Sequence, residues 1–286
     1  MLRAARAGDE PAIEAFLEDR AETSMFLRGN LARFGLFDRV HPHATAYSLA
    51  GDEGDITAVF GISNAGFVMS QAPGASRDVW RAYANSIRGR RLAGITGDAP
   101  QVAAAKRALK VDGERFALED PEPLYRLTLA DMVIPDGAGV LRAPGDSDRA
   151  MLQDWTRAYS AELHMSPPER LDEEGRDRAD RALASGDARL LEIDGTPVAM
   201  TAINARLPDM VQIGGVYTPP ALRGRGHARR AVALHMAEEL AAGVATAILF
   251  ASGPAACRAY EAIGFDRIGT YALAILTEPV VIGGTQ

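Results

Sequence analysis

The sequence predicts an α/β fold built as two mixed-sheet domains in tandem, on three observations. Strand-like runs bounded by acidic and glycine turns alternate with amphipathic helical runs along most of the chain. The segment LRAARAGD, from Leu2, is echoed by LRAPGD, from Leu141. A longer echo follows each opening in the same order: YSLAGDEGDITAVFGISNAGFVMSQAP in the first half and LLEIDGTPVAMTAINARLPDMVQIGGVYTPP in the second. Each reads as strand, turn, strand, Asn-containing loop, strand and proline stop. Two echoes in one order, about a domain length apart, point to an internal duplication.

The chain's 286 residues, 47% of them hydrophobic, suffice for two cores of ordinary size. The boundary is expected in ADMVIPDGAG, residues 130–139, which is rich in glycine and turn formers, giving domains 1–135 and 136–286. In the second half the pattern predicts a strand at 141–143, helices near 148–162 and 169–184, and strands at 188–193, 197–204 and 210–217. A helix at about 226–242, a strand at 246–251, a helix at 254–263 and closing strands near 265–269 and 271–276 complete it. The first half follows a similar course as far as its fourth strand, GFVMSQ, and then diverges into APGASRDVWRAYANSI.

Composition removes several function classes. A formal net charge of −7 argues against a nucleic-acid binder. A single cysteine, Cys257, permits no internal disulfide and suits a reducing compartment. The opening MLRAARAGDEPAIEAF lacks the apolar core of a signal peptide, and no run of about 18 apolar residues occurs. A cytoplasmic protein with no membrane partner is the expectation.

Against that acidic background, VYTPPALRGRGHARRAVALHMAEELAAG, residues 216–243, is unusual. Arg223, Arg225, Arg229 and Arg230 crowd a helix N-terminus, where the peptide dipoles favour acids. The helix itself is credible: Val232, Ala233, Leu234, Met236, Ala237, Leu240 and Ala241 fall on one face, with His235, Glu238 and Glu239 on the other. An anion would resolve the conflict, and Gly224 and Gly226 would let backbone N–H groups approach it closely. RGRGHARR lacks the spacing and the lysine of a P-loop, and Arg229 stands where a dinucleotide fingerprint needs a small residue.

What fits is R-x-x-G-x-A across Arg223, Gly226 and Ala228, after a strand and opening a helix, followed by Tyr260, Gly264 and Phe265 in CRAYEAIGF. This combination resembles the acyl-CoA loop and downstream tyrosine segment of the GNAT superfamily of N-acetyltransferases. The resemblance covers roughly residues 140–277, and residues 1–130 resemble a degenerate copy. It implies a tandem GNAT-like fold with acetyl-CoA as cosubstrate, no metal, and the acyl-CoA site in the C-terminal half. Val216, Tyr217 and Thr218 would line the pantetheine arm through backbone groups. Arg223 opens the loop, and Gly224, Arg225, Gly226, His227, Ala228 and Arg229 would hold the pyrophosphate. An extended diamide can pair with an exposed strand edge, and Gly214 and Gly215 suit a bulge that opens one. The sequence departs from the family at Gly253, where an asparagine is common, and at His227, in a position commonly aliphatic.

Acetyl transfer to an amine needs donors for the oxyanion and a proton for the departing thiolate. Tyr260 is the candidate acid by family match; its structural alternative is a tyrosine that packs a helix on the sheet. The base is not legible. Glu162 and His164 lie where related proteins shape the acceptor cleft, although a solvated helix end explains both. Cys257 reads as a small apolar residue. Arg91, Gly94 and Thr96, in IRGRRLAGITG, imitate the loop but lead from helix into strand. The expected function is transfer of acetyl from acetyl-CoA to a primary amine of a small molecule or peptide; the alternative is a non-catalytic acyl-CoA sensor or interaction module. The sequence leaves the oligomeric state open, a homodimer included.

Overall fold

The computed structural model describes residues 1–52, 55–119 and 121–284. The chain forms two compact units, Met1–Pro121 with Thr270–Gln286, and Glu122–Gly269.

The first unit runs β1 (Leu2–Ala4), α1 (Glu10–Glu18), α2 (Ala21–Phe34), β2 (Thr45–Asp52), β3 (Asp55–Ser63), β4 (Phe67–Gln71), α3 (Arg77–Ser86), β5 (Arg91–Asp98), α4 (Ala99–Leu109) and β6 (Phe116–Leu118). The second runs β7 (Pro121–Thr128), β8 (Val140–Arg142), α5 (Arg149–Glu162), α6 (Leu171–Ser185), β9 (Ala188–Ile193), β10 (Thr196–Arg206), β11 (Met210–Tyr217), α7 (His227–Ala241), β12 (Thr246–Phe250) and α8 (Pro254–Glu261), leading into β13 (Asp266–Val281). From β1 to α4 and from β8 to α8 the order of strands and helices is the same, so the echo in the sequence is a repeat in topology. The turn expected at Glu53 and Gly54 lies outside the described residues.

Local chemistry accounts for the helix starts. Proline stands in the first turn of α1, α4 and α8, where its missing N–H costs nothing. Ser76 caps α3 by accepting from the Val79 amide at 3.4 Å. In the first unit the strands follow the order β1-β2-β3-β4-β5-β13, and in the second β8-β9-β10-β11-β12-β7. Only β4/β5 and β11/β12 are parallel among these neighbours within the two units. Each sheet carries a helix pair on either face. In the second unit, Leu152 of α5 and Ala179 of α6 pack with Leu190 and Met200, while Val232 and Met236 of α7 and Tyr260 of α8 pack with Val211, Ile213 and Leu249. Among the described residues no helix is long and apolar enough to cross a membrane.

The structure divides the chain differently from the expected boundary near Pro135. The strand that follows α4 belongs to the second sheet: β7 pairs with β12 from Thr246↔Thr128 to Phe250↔Leu124. The strand that follows α8 belongs to the first: β13 pairs with β5 from Tyr271↔Asp98 to Val281↔Arg91. A glycine-rich stretch marks where the chain turns, whereas compactness follows which strands complete which sheet. Residues 130–139 instead form a connection inside the second unit, held by Arg230, whose Nη1 donates to Pro135 O at 2.5 Å and whose Nε donates to Ala138 O at 3.0 Å. The two closing strands expected at 265–269 and 271–276 are one strand of 16 residues.

Helix α7 also departs from its expected faces. His235 and Glu239, placed by periodicity on the polar side, are buried, and Leu240, placed on the apolar side, is exposed. The reason is a tertiary partner: Arg206 of β10 donates to both Glu239 oxygens, at 2.5 and 2.9 Å, so the carboxylate is compensated as it enters the interior. His235 is not compensated in this way, since both ring nitrogens lack a hydrogen-bond partner. Burial, followed by the charge of Arg189, lowers its pKa to about 4 from 6.5. The folded protein therefore keeps a neutral ring while the unfolded chain takes a proton below about pH 6.5. Stability is expected to fall as pH drops from 6.5 toward 4, by about 3 kcal/mol in total, with the loss from Glu239 protonation following at lower pH. Denaturant melts of His235→Leu should show that upper slope removed, together with a gain of roughly 1–3 kcal/mol at neutral pH from deleting two orphaned polar atoms; an unchanged pH profile would refute the assignment.

Candidate functional site

Strand β11 parts from β12 where its glycines begin. Their parallel register runs from Met210↔Thr246 to Ile213↔Leu249 and ends there, although β11 continues to Tyr217. On its other side the pairing with β10 jumps from Ala202↔Gly214 to Met200↔Tyr217, three steps along one strand against two along the other. This is the bulge expected at Gly214 and Gly215. Gly215 lies at φ +58°, which favours glycine there, and a Cβ on Gly214 would require the Asn204 side chain to move. Past Ile213, then, the backbone of β11 presents an edge with no register partner on β12.

A cleft of about 580 Å³ opens along this edge, bounded by the end of α5, the loop before α7 and the first turns of α7 and α8. Its floor includes Val216, Tyr217 and Thr218, and Gly224, Gly226, His227 and Ala228 form the loop side. Gly224 and Gly226 take φ values of +76° and +80°. Gly226 is the N-cap of α7 and supplies no side-chain acceptor, so the first N–H groups of the helix lack a cap. Beside them the Arg229 Nε is buried without a hydrogen-bond partner, and so is the Thr218 hydroxyl; both residues line the cleft. An orphaned guanidinium N–H next to an uncapped helix N-terminus is a site that an anion completes. The residues present therefore fit a diphosphate.

The four clustered arginines separate in three dimensions. Arg223 and Arg229 reach the cleft, Arg225 is not among its lining residues, and Arg230 turns away to the 130–139 connection. A third cation comes instead from Arg258 of α8, which sequence reading passed over although it stands two residues before Tyr260. Burial, and then the charge of Arg225, lowers the His227 pKa, so this ring is neutral beside the loop. Arg223 is held on three sides: its Nη2 lies 2.8 Å from both Glu162 oxygens, its Nε donates to Thr218 O at 2.8 Å, and its guanidinium carbon is 5.6 Å from the Tyr217 ring centroid.

Tyr260 also lines the cleft while its ring meets Phe265 edge-on at 5.9 Å. It is 8% exposed. Burial raises its pKa well above the usual phenol range, with the neighbouring Tyr159 adding to the effect, so the hydroxyl holds its proton at neutral pH and can act only as a donor of it. Packing on the apolar core and a place in the cleft thus coexist in one residue. Tyr159 was missed: it sits in an amphipathic helix, and nothing in the spacing says that it lines the cleft. Of the two candidates for the acceptor side, Glu162 lines the cleft and His164 does not. Cys257 packs against the apolar core of the unit. Gly253 is the N-cap of α8 at φ +91°, a conformation that an asparagine side chain would adopt only with strain.

Comparison with known proteins bears on the family and on the fold. The acetyltransferase (GNAT) family matches residues 149–265. Among solved structures, a Drosophila protein aligns with a TM-score of 0.61 at 14% identity, over 96% of this chain and 98% of its own. A GCN5-related N-acetyltransferase from Sphaerobacter thermophilus aligns with a TM-score of 0.58 at 17% identity, over 99% and 95%. A tandem GNAT protein from the clavulanic acid biosynthesis pathway aligns with a TM-score of 0.53 at 14% identity, over 100% and 99%. No curated protein matches the sequence significantly. Residues 149–265 are a domain of the acetyltransferase (GNAT) family, in a chain whose fold is a tandem of that kind.

Proposed function

We propose that the second unit binds acetyl-CoA in the cleft beside β11 and transfers its acetyl group directly to a primary amine of a small molecule or peptide. The observation that carries this reading is the pairing of an open strand edge with an uncapped α7 N-terminus at which Arg229 Nε is left without a partner. Bound there, the thioester supplies an acyl carbon open to attack by a neutral amine. The chain's own residues bind and orient: the edge at 216–218 offers amide and carbonyl groups to an extended arm, and the loop from Gly224 to Arg229 neutralises the diphosphate. Tyr260 holds a proton at its Oη for the departing sulfur.

Calorimetry of the intact protein with acetyl-CoA tests the site, and Gly226→Val tests its location. Gly226 lies at φ +80°, and an added Cβ would sit 3.4 Å from Arg229 Nη2. Valine at that φ strains the backbone, and a loop that relaxes the strain no longer presents its amides to the diphosphate, so affinity should fall about 10-fold or more, the equivalent of one strained residue. No uptake by the wild type, or equal uptake by a folded Gly226→Val protein, would sink the assignment. Release of free thiol that requires an added amine pool distinguishes an enzyme from an acyl-CoA sensor.

A further inference from the structure

Among the described residues lining the cleft, Glu162 is the one carboxylate, facing Arg223, Arg229 and Arg258. It ends α5, and both of its oxygens contact the same nitrogen, Nη2 of Arg223, at 2.8 Å. Its side chain is 43% exposed and that of Arg223 44%, so the pair is open to competition from solutes. The ion pair itself resists exchange only weakly, by a factor on the order of 5, while the Nε bond to Thr218 O and the Tyr217 ring hold the rest of the guanidinium, so it is Nη2 that can change partner. Arg223 immediately precedes Gly224, the first glycine of the loop that would hold the diphosphate. A diphosphate carries more charge than a carboxylate and offers oxygens on several sides, and guanidinium groups favour such a partner.

Resting on the acyl-CoA reading above, we infer that Glu162 is the subsite for a cationic group on the acceptor, masked by Nη2 of Arg223 until the coenzyme's diphosphate draws that nitrogen away. Once Arg223 serves the phosphates, Glu162 is left in the cleft as a carboxylate without its counterion, beside newly bound negative charge. A protonated amine on the acceptor restores the balance. Two consequences follow from this exchange. Acceptors with a second amino group, one protonated and one neutral for attack, are preferred. Donor and acceptor affinities are coupled, and the coupling is reciprocal.

The test is calorimetry with coenzyme A, which binds without reacting, and with 1,4-diaminobutane as the cationic probe. Wild-type protein saturated with coenzyme A should bind the diamine at least 5-fold more tightly than free protein does. In E162Q the two affinities should be equal, while coenzyme A itself binds several-fold more tightly; that gain should vanish in an R223Q background. Since Glu162 is half exposed, E162Q leaves the core intact. Equal diamine affinity with and without coenzyme A in the wild type, retention of the difference in E162Q, or a gain of the same size in the R223Q background overturns the inference while leaving the coenzyme site standing. Failure of the wild type to take up coenzyme A overturns both.

Discussion

Tyr260→Phe is expected to slow turnover by about 100-fold to 10,000-fold, the range of a lost general acid, with coenzyme affinity nearly unchanged. Tyr260 is in the apolar cluster of α7 and α8 and meets Phe265 through its ring; phenylalanine keeps that packing and removes one oxygen. The tyrosine's raised pKa means the proton is present at neutral pH, and burial is the main cause. Single-turnover kinetics separates the steps: binding should match the wild type while the chemical step falls. Equal turnover by the two proteins would leave Tyr260 with packing alone, and a drop in melting temperature matching the activity loss would say the same.

A fragment of residues 136–286 is expected not to fold. It contains the whole matched family segment, yet it lacks β7. That strand contributes Tyr125 and Leu127, and the turn after it contributes Leu129, all to the core of the second unit and all less than 3% exposed. Losing a buried large apolar side chain typically costs 2–5 kcal/mol, so losing three approaches or exceeds the roughly 5–15 kcal/mol that holds a domain together. The deletion also bares the edge of β12, a strand with four buried residues, Thr246–Leu249, which invites aggregation. A fragment of residues 122–269, which contains every residue of the second unit, should by contrast melt cooperatively. A sharp thermal transition from the 136–286 fragment would refute the assignment of β7 to this sheet.

Much of the architecture was legible because it is written locally. The bulge glycines, the proline stops, the turn residues and the two periodicities act over a few residues, so strands β9 to β12 and helices α5 to α8 lie close to where the sequence predicts them. The loop was legible for the same reason. Arginine at the positive end of a helix contradicts the helix's own field, and that contradiction is visible in one dimension. Helix α7 is the exception: the burial of its Glu239 depends on Arg206, 33 positions away, and no periodicity can announce a partner on another strand.

The sequence by itself determined the α/β class, the duplication, the family of the second half and the chemical character of the loop. Each is set by residue type and short spacing. Tertiary structure alone decided which strand completes which sheet, which two of the four clustered arginines face the cleft, and that Arg258, Tyr159 and Glu162 join them there. These depend on contacts between segments distant along the chain, and the energy of such a contact is defined only once both partners have been brought together by the fold.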